Sequence, residues 1–137
     1  MSTYSPNLRI ELITTGTQAG TWGTTTNSNL STVLEAAIAG NVTVSVTTSA
    51  QALTYLNGPT STAANNESVR AILTLTTSTT AAFAVYAPPV SKQYVIYNAS
   101  SYTATIYNST VIGNTTAAGT RVAVPAGKMM TLWSDGT

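Results

Sequence analysis

The chain has no histidine and no cysteine. The first absence removes the commonest general base, the commonest metal ligand and the histidine-based nucleophilic triads. The second removes disulfides and cysteine metal sites. Charge is scarce too: charged residues make up 7% of the sequence, against roughly 25% in an ordinary globular domain. The net charge is +1, and its five cations, Arg9, Arg70, Lys92, Arg121 and Lys128, are scattered. Nucleic-acid binding needs clustered Lys and Arg to neutralise phosphates, so no nucleic-acid partner is expected. No apolar run approaches the roughly 20 residues that span a bilayer. The start, Met1-Ser2-Thr3-Tyr4-Ser5-Pro6, lacks the basic and apolar regions of a signal peptide. The expectation is a protein made in the cytoplasm, with no membrane partner.

The four acids, Glu11, Glu35, Glu67 and Asp135, lie far apart in sequence. Nothing pairs any two of them as glycoside hydrolysis requires, with carboxyl groups about 5–10 Å apart. The glycine-rich stretch at 16–23 lacks the Gly-Lys-Ser/Thr ending of a phosphate loop. No catalytic, cofactor-binding or metal-ligating residue is therefore expected, and the chain reads as a non-enzyme. Asn29, Asn41, Asn66, Asn98, Asn108 and Asn114 each open an Asn-x-Ser/Thr triplet. Without a signal peptide these follow from composition and are not read as glycosylation sites.

What is present is apolar material and uncharged polarity. Hydrophobic residues make up 43% of the 137 residues, enough for one domain with its own core. Solubility rests on Thr, Ser and Asn. A surface so poor in charge has little to resist association, so much of it is expected to be covered by other subunits.

Leu8, Ile10 and Leu12 alternate with Arg9 and Glu11, the pattern of a strand. Gly16, Gly20 and Gly23 then mark a loop with special backbone angles. Leu30, Val33, Leu34, Ala37 and Ile38 recur at helical spacing and predict one amphipathic helix from about residue 26 to 39. Asn27, Ser28 or Asn29 is placed to cap its start, with Thr32 and Glu35 as a capping box for a later one. Gly40 is placed as a left-handed C-terminal cap.

Beyond Gly40 the period becomes two. Val42, Val44 and Val46 share a face, as do Val69, Ala71, Leu73 and Leu75. Residues 82–86 form a further strand before Pro88-Pro89. Residues 92–97 and 103–107 read as a pair joined by a turn, and residues 122–124 and 129–133 as a hairpin around Pro125-Ala126-Gly127. The Thr-rich stretch 74–80 reads as edge strand or exposed loop. The fold class expected is mainly β. An N-terminal strand and helix precede a β-sandwich or β-roll of short antiparallel strands. Residues 1–40 form an attachment segment and 41–137 the β-rich part, packed together as one domain. Trp22, Trp133 and the tyrosines could form a sugar platform, although aromatics in small β-domains more often fill cores or interfaces.

The most distinctive stretch runs Gly16-Thr17-Gln18-Ala19-Gly20-Thr21-Trp22-Gly23 and on through Asn27-Ser28-Asn29-Leu30. With the strand before it, it resembles the N-terminal module of a family of phage tail-fibre-like proteins. In that family a short strand, Gly-x-x-x-Gly-x-Trp-Gly, Asn-x-Asn and an amphipathic helix lead into a β-domain. That domain closes on a segment like Leu132-Trp133-Ser134-Asp135-Gly136. The resemblance implies a virion structural protein, assembled in the host cytoplasm and acting as a tail fibre or attachment module. It also implies partners: itself, as a homotrimer, and other virion proteins. Its candidate docking motif is Gly16, Gly20, Trp22, Gly23, Asn27 and Asn29, with Trp22 covering the strand–helix junction and Leu30, Val33, Leu34, Ala37 and Ile38 as the packing face. The same composition suits a head decoration protein. A carbohydrate-binding module contacting a host-surface glycan is a further alternative.

Overall fold

The computed structural model describes residues 3–137. Two short strands, β1 (Thr3–Tyr4) and β2 (Glu11–Leu12), pair antiparallel. A helix of 18 residues follows, numbered 22–39 and here called α1. It is made of an α segment Trp22–Ser28, a π segment Asn29–Leu34 and an α segment Glu35–Ala39. Eight more strands complete the described residues: β3 (Asn41–Val46), β4 (Ala50–Ala52), β5 (Ile72–Thr77), β6 (Phe83–Ala87), β7 (Ser91–Asn98), β8 (Ala104–Ser109), β9 (Ala117–Val124) and β10 (Met129–Asp135).

These eight form two four-stranded sheets, ordered β10-β7-β5-β3 and β4-β6-β8-β9. The chain alternates between them. Each turn lays one strand on each sheet, so β3, β5 and β7 run parallel in one and β4, β6 and β8 run parallel in the other. β9 and β10 close the sheets antiparallel, on β8 and β7 respectively. The mainly-β fold with one helix stands as expected, and the two sheets sandwich a core. The expectation of antiparallel pairing is corrected to mixed pairing. Alternation of apolar and polar residues reports only that one face is buried, and it is the same for either strand direction.

Two of the expected pairs are corrected for a related reason. Residues 92–97 and 103–107 fall in opposite sheets, as do 122–124 and 129–133. The turns between them carry the chain across the sandwich rather than back along one sheet. The Thr-rich stretch 74–80 divides: residues 74–77 belong to β5, which is no edge because it lies between β7 and β3, whereas residues 78–80 form a loop with exposed Ser78 and Thr80, as the loop reading expects.

The core collects alternate residues from both sheets. Val44, Val46, Leu73, Leu75, Val85, Ala104 and Val124 are fully buried, with Phe83, Tyr94 and Ile96 nearly so. Each buried Val or Leu contributes roughly 1.5–3 kcal/mol relative to an exposed one. The corner after β7 is fixed by Asn98, which is also fully buried. Its Nδ2 donates to Tyr102 O (2.7 Å) and Val124 O (2.9 Å). Its Oδ1 accepts from the Ser100 N–H (3.1 Å) and hydroxyl (2.7 Å). Every polar atom of that amide group is used, which is how a buried Asn is tolerated.

A second, smaller core lies beneath α1. Val33, Ala36 and Val69 are buried there, with Leu8, Ile10 and Ala37 packed against them. Leu8 and Ile10 meet the inward expectation, but Leu12 is half exposed and the extended pairing covers only Glu11–Leu12. Gly58 brings the loop between β4 and β5 onto this core, donating its N–H to Arg9 O at 2.9 Å.

Candidate interaction surface

The N-terminal segment is built around three polar joints. Asn29 accepts the Glu11 N–H on Oδ1 (2.9 Å) and donates from Nδ2 to Glu11 O (2.8 Å). One side chain thus does for β2 what a neighbouring strand would do. Gln18 donates to the Glu11 carboxylate (2.7 Å) and accepts from the Thr25 hydroxyl. Arg9, held at a left-handed φ of 59°, donates to Asn57 Oδ1 from Nε (3.1 Å) and Nη2 (2.8 Å). Its guanidinium lies over the rings of Tyr4 and Tyr55 at 5.6 and 5.9 Å. Burial raises the Tyr55 hydroxyl pKa, and Arg9 opposes that shift.

The candidate motif residues take these places. Gly16 and Gly20 adopt φ of 81° and 82°, the left-handed turn their residue type permits. Gly23 lies inside the helix. The helix begins at Trp22, four residues earlier than expected, because Gln18 O already accepts the N–H groups of Thr21 and Trp22. Asn27, Ser28 and Asn29 therefore sit inside it and cap nothing; the cap position is Thr21, with no side-chain hydrogen bond. The Thr32–Glu35 capping box is corrected for the same reason. Gly40 is extended (φ −73°, ψ 145°), not left-handed. Glycine is needed there for space, since a Cβ would lie 2.6 Å from Ala36 O.

The helix packing face is corrected most. Val33 is buried and Ala37 packs against the core, as expected, together with Asn29 and Ala36. Leu30, Leu34 and Ile38 face away, exposed to 52%, 36% and 73%, and Trp22, expected to cover the junction, is 62% exposed. The inward face is held by Asn29, Val33 and Ala36, and at roughly 100° per residue that choice turns Leu30, Leu34 and Ile38 to the other side. The helix also carries the π segment, where Glu35 N–H reaches back to Leu30 O, five residues, which keeps Leu30 and Leu34 nearly in line. Leu30, Leu34 and Ile38 form an outward apolar ridge, with Trp22 exposed at the start of the helix. Exposed apolar patches of this kind mark interaction sites.

A second apolar surface lies at the β9/β10 end of the sandwich. A cleft of about 330 Å³ opens there. Tyr94, Ile106, Val122 and Leu132 line it, with Trp133 and Asp135 at its rim. Trp133 and Met129 are exposed to 73% and 63%. The Asp135 carboxylate accepts from Thr137 N–H (3.0 Å) and Oγ1 (2.8 Å), which lowers its pKa. Tyr86 and Tyr107 do not form a flat platform. They stack on each other, centroids 5.0 Å apart and 10° from parallel.

Near this end Lys92 turns into the protein. Its Nζ donates to Arg70 O (2.8 Å) and Gln93 O (2.9 Å) and lies 4.1 Å from the Tyr94 ring centre. Burial nevertheless lowers its pKa to about 8. Three of the Asn-x-Ser/Thr asparagines, Asn29, Asn66 and Asn98, are buried and hydrogen-bonded.

The ridge and the open end were not legible as surfaces in the sequence. The ridge residues carried a helix signal without its direction, and β10 carried a weak one, six uncharged residues before Asp135. No protein family, curated protein or solved structure matches the chain.

Proposed function

We propose that the chain is a non-enzymatic structural subunit of a virion, a phage tail fibre or tail attachment module that acts by subunit assembly and docking. One observation carries this reading: the outward ridge of Leu30, Leu34 and Ile38, with Trp22 at the start of the helix, apolar side chains that the fold leaves uncovered. They lie beside the glycine loop that resembles the tail-fibre module, where Asn29 and Gln18 tie strand, loop and helix into one unit. The partners of the ridge are two further copies, in a homotrimer, and neighbouring virion proteins.

The test is the mass of the purified full chain by light scattering at several concentrations. It is run beside Leu30→Glu/Ile38→Glu, two changes at exposed positions. The expected result is a wild-type mass in multiples of three chains, with the three-fold set lost in the folded variant. Equal masses for the two proteins would overturn the reading. Copy number separates a tail module, a few to a few dozen per particle, from a head decoration protein, at hundreds. The cleft beside Trp133 favours a second reading, a carbohydrate-binding module, and a glycan array without hits would remove it.

A further inference from the structure

The two sheets end together at β9 and β10, and among the described residues neither end strand has a neighbour on its outer side. The phase of the β10 ladder follows from the Asn98 N–H, which donates to Lys128 O at 2.9 Å. Bonded pairs alternate in an antiparallel ladder. Met130, Leu132 and Ser134 therefore bond toward β7, while Met129, Thr131, Trp133 and Asp135 turn their N–H and C=O groups outward. Natural edge strands are blunted by charge, proline or a bulge. β9 has a bulge: Gly119, Thr120 and Arg121 together oppose Tyr107. β10 has none, since its seven residues stay in unbroken register with β7. Its one charge, Asp135, is at its end.

The core is also unfinished at this end. At the opposite edge of the same sheet, Val44 and Val46 on β3 are fully buried. At the open end the core-facing Met130 and Leu132 are only partly buried, and Val122 keeps 38% of its surface.

We infer that this end is closed by a second copy of the chain, with β10 pairing antiparallel to its counterpart about a two-fold axis. A lone extended peptide would pair β10 and leave the apolar cleft beside β9 uncovered. The same end of a second copy brings an identical unbulged β10 edge, and its own partly exposed apolar residues meet the cleft. Centring the pair on Leu132 sets Thr131 opposite Trp133 of the other copy and Met129 opposite Asp135. Outward-bonding residues then face outward-bonding residues, which an antiparallel ladder requires. The two Asp135 carboxylates sit at opposite ends of the ladder, so like charges do not meet. Trp133 and Met129 become cross-strand contacts. The contact is independent of the helix ridge, and two-fold and three-fold contacts close together in one dihedral set of six chains.

The ridge-substituted full chain, Leu30→Glu/Ile38→Glu, isolates this contact. Its light-scattering mass is expected to be that of two chains, falling by half when Thr131→Pro is added. Proline at 131 removes an outward N–H and none of the ladder to β7. Trp133→Lys, at an exposed site, is expected to do the same. Hydrogen exchange on the unsubstituted chain gives a reading that needs no variant: the Thr131 and Trp133 amides are expected to be protected at high concentration and to lose protection on dilution. One chain at every concentration in the ridge variant, an unchanged mass in folded Thr131→Pro, or unprotected amides in the concentrated protein would each overturn the two-fold contact. None of these results touches the ridge itself.

Discussion

Gly58→Ala is expected to unsettle the joint between the helix and the N-terminal arm. A Cβ on residue 58 would lie 2.2 Å from Val33 Cγ2, 3.3 Å from Val33 Cβ and 2.8 Å from Arg9 O. Comfortable carbon contacts need about 3.5–4.0 Å. Neither obstacle yields readily. Val33 is fully buried in the helix, where a β-branched side chain has one strongly preferred rotamer. Arg9 O accepts the Gly58 N–H at 2.9 Å, and Arg9 is already left-handed. Overpacking of this kind costs about 1–3 kcal/mol, and the fixed neighbours place the expectation in the upper half of that range. For a chain of this length 1 kcal/mol moves the midpoint by roughly 3–5 °C, so Tm should fall by roughly 6–15 °C. The decisive assay is a double-mutant cycle with Val33→Ala, read by denaturant unfolding. Val33→Ala alone should cost about 2–3 kcal/mol. It also removes the Cγ2 at 2.2 Å and leaves only the 3.3 Å contact on that side. The double variant should therefore be less destabilised than the sum by about 1 kcal/mol or more. Additivity within about 0.5 kcal/mol would refute the steric account.

Other substitutions give contrasting signs. Gly23→Ala should raise stability by about 0.5–1 kcal/mol, because the site is helical and a Cβ there meets nothing within 4 Å. Gly40→Ala should lower it, since the obstacles are Ala36 backbone atoms at 2.6 and 2.7 Å; thermal melts of the two variants check both. Asn98→Ala should cost about 2–4 kcal/mol, as it strips partners from several buried backbone groups at one corner, measurable by denaturant unfolding. The folded Lys92 pKa of about 8 lies below its ordinary 10.5, so the unfolded chain binds the proton more tightly. Stability should then rise between about pH 8 and pH 10, and Lys92→Met should flatten that rise. Tyr94, whose pKa burial raises, pulls stability down above about pH 10, so unfolding curves belong below that pH.

Much of the strand inventory was legible because alternation is a local signal. Val44 and Val46, with half-buried Val42 before them, and the pair Leu73 and Leu75 announced their inward face directly. Which strands would pair was not legible. The turns of the coil differ in length: Asn41 lies against Ile72, and Ile72 against Val95. The first turn also carries two short 3-10 segments, Gly58–Thr60 and Glu67–Val69, so no repeat period survives in the sequence. The helix was visible for its apolar spacing. Asn29, Val33 and Ala36 hold the inward face and leave Leu30, Leu34 and Ile38 outward, and the spacing does not report which edge of the apolar stripe meets the core.

By itself, then, the sequence determined a chain without histidine or cysteine chemistry, mainly β, with one helix and a glycine loop before it. Those properties depend on residue identity and on neighbours a few positions away. The tertiary structure alone decided the mixed sheets, the burial of Asn29 and Asn98, the outward ridge and the open end at β9 and β10. Each depends on contacts between residues distant in sequence, and a period of two or of 3.6 says that a face is buried without saying what buries it.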